Sequence, residues 1–262
     1  MSHVHVSRVN RGWVLRSHDH VSPDEFDAAI STIRSSGGGA VRWFVSHPTD
    51  VEKSCAKRHH LTPDVPLLLM RCDLPLDARH RVPDGFSTRP FRPGLDNDEW
   101  LEVNARAFAG HPEQGDWNHV VLAERLAAPW FDPHGFLIHE VEGRIAGFCW
   151  TQVHDDAGVH HHHDADGHHH DHTGVQHHDH AHDEHRPSEP AGEIYVIGGD
   201  PAHHGKGLGR ALTIAGFAHL SGKGLRHGML YVAGDNAPAI GLYTSLGMRV
   251  AHQDDVFSGV VA

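Results

Sequence analysis

From Asp155 to Pro190 the chain is mostly histidine, aspartate and glycine, with almost no aliphatic residues. Such a segment cannot bury enough apolar surface to offset the entropy of ordering it. Any fold must therefore be assembled from the stretches on either side. Of the 31 histidines in the chain, thirteen stand at 160–163, 168–170, 172, 177, 178, 180, 182 and 185. The expectation is a disordered insertion at 155–190 between two strands of one sheet. Histidine beside aspartate suits zinc, nickel or copper, so weak multi-site metal binding is expected of the segment. Its spacing is not that of a structural metal site, and no metal is expected to be required.

The flanking stretches carry the same order of elements twice. In the first, Trp13 to Ser17 predicts a strand, and Ser22-Pro23-Asp24-Glu25 is a strong helix start. Phe26, Ala29, Ile30 and Ile33 follow at helical spacing. Val41 to Val45 predicts a strand, Asp50 opens a helix, and Val65 to Asp73 predicts a third strand. In the second, Glu193 to Ile197 predicts a strand, then a glycine-rich turn and a helix bearing Leu208, Ala211, Leu212 and Ala215 on one face. Met229 to Val232 is the next strand. Asp235-Asn236 caps a helix with Ile240, Tyr243 and Leu246, and Arg249 to Ser258 closes the order. Upstream of the second copy, Phe86 to Pro90 predicts a strand, Asn97–Phe108 and Asn118–Ala127 helices, and Gly135 to Trp150 a hairpin. The first copy is expected to lack these additions and to be a truncated duplicate.

Net charge is 22 basic minus 34 acidic residues, or −12, which argues against a nucleic-acid partner. No apolar run is long enough for a membrane span, and Met1 to Gly12 has no apolar signal region. The three cysteines, Cys55, Cys72 and Cys149, are widely spaced, so no disulfide framework is expected. These features predict a soluble cytoplasmic protein, expected to be a monomer.

The strongest local signal is His204-Gly205-Lys206-Gly207-Leu208-Gly209-Arg210. A strand feeds a glycine-rich turn that opens directly onto a helix. Glycines let the backbone approach a phosphate closely, and the N–H groups of the turn and helix start can hold a pyrophosphate. Taken alone, the same pattern fits a helix start made glycine-rich for packing.

The spacing resembles the [Gln/Arg]-x-x-Gly-x-[Gly/Ala] motif by which GNAT-type N-acetyltransferases hold coenzyme A. Further motifs occur in order: Phe108-Ala109-Gly110-His111-Pro112-Glu113-Gln114-Gly115, Trp130-Phe131-Asp132-Pro133, Gly147-Phe148-Cys149-Trp150-Thr151, Gly192-Glu193-Ile194-Tyr195-Val196, Leu230-Tyr231-Val232 and Asp235-Asn236-Ala237-Pro238-Ala239-Ile240-Gly241-Leu242-Tyr243. Together they closely resemble the mycothiol synthase family, actinobacterial enzymes with two tandem GNAT domains. The resemblance covers Phe86 to the C-terminus apart from the insertion, and more weakly Trp13 to Leu76.

It implies an α/β GNAT acyl-CoA N-acyltransferase fold in tandem: a truncated, non-catalytic N-terminal half domain at 1–78 and a complete catalytic domain at 86–262. It also implies acetyl transfer from acetyl-CoA to the cysteinyl α-amine of a cysteinyl-glucosaminyl-inositol pseudodisaccharide. By motif position, Glu193 matches the general base and Tyr243 the general acid. Ile197, Gly198 and Gly199 would hold the pantetheine, His204, Gly205, Lys206, Gly207, Leu208, Gly209 and Arg210 the pyrophosphate. Asn236, Ala237, Pro238, Ala239, Ile240 and Gly241 would lie along the coenzyme. Glu113, Gln152, Glu193 and Tyr231 match positions that contact the acceptor. Pattern alone reads Tyr243 as a core aromatic, Tyr231 as a strand aromatic, Glu193 as a strand-end acid and Glu113 as a solvated loop acid.

The chain departs from the family in four places, one of them Ala233-Gly234 after Leu230-Tyr231-Val232, where a glutamate is usual first. His204 replaces glutamine or arginine, and Gln152 replaces a lysine at the acceptor. The N-terminal copy has His18-Asp19-His20-Val21-Ser22 in place of a glycine loop, so it is not expected to bind coenzyme A. The neutral Gln152 keeps a second expectation open, a GNAT enzyme acting on another small amine. A third is a non-catalytic coenzyme A- or metal-binding homologue.

Overall fold

The computed structural model describes residues 4–9, 12–17, 20–109, 117–154 and 190–262. The insertion from 155 to 189 and the loop holding Glu113 lie outside the described residues. The elements run β1 (Val4–Val9), β2 (Gly12–Ser17), α1 (Pro23–Ser35), β3 (Gly39–Ser46), α2 (Asp50–Arg58), β4 (Thr62–Asp73), β5 (Arg89–Pro90), α3 (Asn97–Ala107), α4 (His119–Leu126), β6 (Phe136–Val141), β7 (Arg144–His154), β8 (Ala191–Gly199), α5 (Leu208–Gly222), β9 (His227–Ala233), α6 (Ala237–Ser245) and β10 (Arg249–Val261). The strand expected at Phe86 to Pro90 is only Arg89–Pro90, and Phe86 instead stacks on the His139 ring.

All ten strands form one sheet in the order β1-β2-β3-β10-β4-β9-β8-β7-β6-β5. Its centre reads alike in both directions. β1 and β2 pair antiparallel, as do β7 and β8; β2 and β3 pair parallel, as do β8 and β9. The strands at the middle are exchanged between the two copies. β10, from the end of the chain, sits beside β3, while β4, from the first copy, sits beside β9. The two centre strands then pair with each other. β1 was not expected from the sequence, because His5, Ser7 and Arg8 interrupt its apolar character. It forms because Val4 and Val6 pack onto the Trp13 and Leu15 side of the N-terminal core.

Period-3.6 patterning places α1 through Phe26, Ala29, Ile30 and Ile33, which bury against Trp13, Leu15, Val41 and Trp43. α5 buries Leu212, Phe217 and Leu220 against Leu68, Met70, Cys149, Ile194 and Leu230, on the same side of the sheet. The other side of the second copy is covered by α3 and α4 through an aromatic cluster of Trp100, Phe136, Phe148, Trp150 and Tyr195. On that side of the first copy, the Arg16 and Arg42 guanidiniums lie over the Phe44 ring, 4.5 and 5.0 Å from its centroid. No helix among the described residues is long and apolar enough to cross a membrane.

Candidate active site

The parallel pairing of β8 with β9 is short. It holds for Ala191–His227, Gly192–Gly228 and Glu193–Met229, and ends there. β8 continues to Gly199 while β9 runs on to Ala233 against β4, so a split opens between them directly after Glu193. The cause lies in β8 itself. Its register with β7 slips between Trp150–Val196 and Thr151–Ile194, leaving Tyr195 as a bulge. A bulge bends and twists its strand. Ile197, Gly198 and Gly199 line the split, still held by β7 on their other side.

Gly198 is fixed by packing as well: a Cβ there would come within 2.8 Å of the Phe148 ring and 3.2 Å of Phe108. Beyond Gly199, Asp200 caps a short 3-10 turn by accepting from Ala202 N–H at 2.9 Å, and its other oxygen meets Arg106 at 2.7 Å. Gly207 then starts α5 with φ +80° and no side-chain cap. The N–H groups of that first turn face outward with the positive end of the helix dipole, an arrangement suited to an anion. A Cβ at Gly207 would meet nothing within 4 Å, so space as well as backbone freedom is present.

The remaining expected cradle residues separate into two groups. His204 turns back so that its Nε2 lies 3.2 Å from the Gly199 carbonyl. Arg210 donates to Ser245 at 2.7 Å and meets His80 at 2.9 Å, joining α5 to α6. On α6, Asn236 caps the helix by accepting from Ala239 N–H at 3.2 Å, and Ala237 to Gly241 form its first turn and a half beside the split. The structure thus brings together one wall from β8 and α5 and another from α6.

Glu193 and Tyr243 stand on opposite sides of the sheet. Glu193 is buried at 2 % exposure, in register between Gln152 (3 % exposed) on β7 and Met229 on β9. Tyr231, two residues on from Met229, shares that side. Burial pushes the Tyr231 phenol up, and the charges of Glu193 and Asp254 push the same way, opposed by Arg16 and Arg71. Tyr243 lies on the α5 side, in the cluster with Leu212, Ile194 and Leu230. Burial pushes its phenol up to about 12, with Cys149 adding to the rise.

Sequence reasoning missed His154, Arg16, Arg71 and Asp254 as neighbours of the site. His154 Nε2 lies 2.8 Å from the Glu193 carboxylate. Arg16, Arg71 and Asp254 come from β2, β4 and β10, and only the exchange of centre strands carries them to Tyr231. Alternation in β7 could have placed His154 on the same face as Gln152; nothing local in the sequence marks the other three.

The family model for the acetyltransferase (GNAT) family matches residues 98–248. The chain belongs to that family. Among curated relatives, it is 40 % identical over 230 residues to a mycothiol acetyltransferase of Acidothermus cellulolyticus, covering 87 % of this chain and 64 % of that one. It is 46 % identical over 175 residues to one of Catenulispora acidiphila (67 % and 47 %), and 36 % identical over 251 residues to one of Kocuria rhizophila (90 % and 73 %). The chain thus spans less than two thirds of the first two relatives. A GCN5-related N-acetyltransferase from Sphaerobacter thermophilus shares the fold, with TM-score 0.68 at 20 % identity over 98 % of this chain and 76 % of that one. So does a tandem GNAT protein from the clavulanic acid biosynthesis pathway, with TM-score 0.57 at 13 % identity over 96 % and 79 %.

Proposed function

We propose that the protein transfers acetyl from acetyl-CoA to the cysteinyl α-amine of the cysteinyl-glucosaminyl-inositol pseudodisaccharide, giving mycothiol. The observation that carries this reading is the split after Glu193, which leads to an uncapped glycine entry into α5. It is supported by the mycothiol acetyltransferase relatives. Pantetheine would lie along Ile197 to Gly199, and the pyrophosphate at Gly205 to Arg210. The catalytic residues lie within 86–262, a unit whose sheet is completed by β4 of the first copy. Residues 1–78 are a half domain that does not bind coenzyme A.

The amine nitrogen attacks the thioester carbonyl, forming the C–N bond, and the C–S bond breaks on collapse of the tetrahedral intermediate. The amine proton passes to Glu193, directly or through one water. Backbone N–H groups of β8 at the split can stabilise the oxyanion. Tyr243, neutral at physiological pH, supplies the proton to the departing thiolate, whose charge the same apolar surroundings disfavour. Base and acid on opposite sides of the sheet fit an acceptor and a thiol that approach the carbonyl from different sides.

Thiol release from acetyl-CoA with the pseudodisaccharide tests the reading. Glu193→Gln is expected to lower kcat by about 10²–10³, within the usual range for a general base, with the Kd of coenzyme A within about twofold. An unchanged rate removes Glu193 as the base. A second reading, transfer to a different small amine, is favoured by the neutral, buried Gln152 beside Glu193. Turnover confined to other amines would select it.

A further inference from the structure

The Glu193 carboxylate faces a physical problem that its neighbours in register do not solve. A carboxylate taken out of water needs hydrogen-bond donors. Met229, beside it on β9, offers none, and no hydrogen bond joins it to Gln152 opposite. The donor comes from the diagonal position on β7. His154 pairs in register with Ala191, whose methyl leaves room for the imidazole to lean along the strand. Its Nε2 reaches Glu193 Oε2 at 2.8 Å, with the imidazole side chain 10 % and the carboxylate 3 % exposed. An ionised carboxylate only accepts, so the His154 tautomer that bonds the ionised form is the one with its proton on Nε2.

Resting on the acetyl-transfer reading above, we propose that His154 is a positioning residue for the general base. Its Nε2–H fixes Oε2 of Glu193, so that Oε1 is the oxygen presented to the acceptor amine or its bridging water. His154 touches neither the coenzyme nor the proton in flight. It removes the rotational freedom of a carboxylate that must meet its partner within hydrogen-bond reach, and small misplacements of such groups cost rate rather than affinity.

The test is a double-mutant cycle with steady-state kinetics on the full chain. His154→Leu removes the donor at similar size, His154→Gln keeps an N–H of comparable reach, and each is made alone and with Glu193→Gln. The expected result is a fall in kcat of tenfold or more for His154→Leu, with KM for acetyl-CoA within twofold and His154→Gln within about threefold of wild type. His154→Leu should add nothing once Glu193→Gln is present, because the group it positions is no longer a base. If His154→Leu fails to fold, His154→Asn, whose shorter amide does not reach, takes its place. Equal losses in both Glu193 backgrounds, or a His154→Gln as slow as His154→Leu, overturn the proposal while leaving the base assignment intact. A Glu193→Gln variant as fast as wild type, or no turnover by the wild type with any amine, removes the base assignment and this proposal together.

Discussion

The two copies of the strand-helix-strand order treat the same junction in opposite ways. In the first, β2 and β3 stay paired over six rungs, from Gly12–Ala40 to Ser17–Val45, so no split opens. Its helix start is filled by the protein's own carboxylates. Glu25 accepts from Ser22 N–H at 3.0 Å, and Ser22 Oγ accepts from Glu25 N–H at 3.3 Å, a closed capping box. Glu52, at the start of α2 and 1 % exposed, accepts from Val21 N–H at 3.0 Å and from Thr49 N–H at 2.9 Å, and also bonds the Thr49 hydroxyl. In the second copy, pairing stops after three rungs, α5 begins at a glycine, and α6 carries Ala239 at the position Glu52 holds in α2. The second copy leaves an opening suited to an anion, because there the chain supplies neither continued strand pairing nor an internal carboxylate. The first copy is closed at the corresponding place by groups of its own.

The largest test of this contrast removes the first copy. Residues 79–262 alone lack β4, which separates β9 from β10 and buries Leu68, Leu69, Met70 and Cys72. Each buried leucine or methionine accounts for about 2 kcal/mol or more, so the loss rivals the whole stability of a domain. Circular dichroism should show no cooperative unfolding transition; a folded, active 79–262 would show that the exchanged strand is dispensable.

The next test concerns Glu52. Burial raises its pKa, but the hydrogen bonds from Thr49 and Val21 outweigh burial and hold it at about 2, against an ordinary 4.5. A depressed carboxylate stabilises the fold above its unfolded pKa and loses that contribution as pH falls through the folded one. The lowering corresponds to about 3 kcal/mol. Glu52→Gln should lose roughly that much in urea unfolding near pH 7, and the gap to wild type should close between pH 4.5 and 2. A gap independent of pH would show that the first copy is not closed by this charge.

The smallest effects compare the two helix starts directly. Gly207→Ala forces a side chain into positive φ at about 1–2 kcal/mol and should weaken coenzyme A binding about tenfold by calorimetry. Ser22→Ala should cost about 1 kcal/mol of stability and leave coenzyme affinity unchanged. If both changed affinity alike, the two junctions would not differ in function.

Much of both copies was legible where their signals are local. The caps at Ser22 and Asn236, the glycines before Leu208, and the periodic faces of α1 and α5 need only neighbours in sequence. Glu193 and Tyr243 could be named from family motifs, yet local pattern left both open as ordinary strand and core residues. What no local pattern carried was long-range. β1 was hidden by its interleaved polar residues. His154 meets Glu193 across 39 positions, and Arg16 reaches the site through a strand exchange spanning nearly the whole chain.

The sequence by itself therefore determined most of the elements and the glycine entry into α5, and it predicts that the segment from 155 to 190 is too poor in apolar residues to join a core. Only the tertiary structure decided that the two copies share one sheet through exchanged strands, that pairing ends at Glu193, and which buried groups surround that carboxylate. Caps, turns and amphipathic faces depend on contacts a few residues apart. Strand order and register depend on which distant faces bury the most apolar surface together, and that is settled only when the whole sheet assembles.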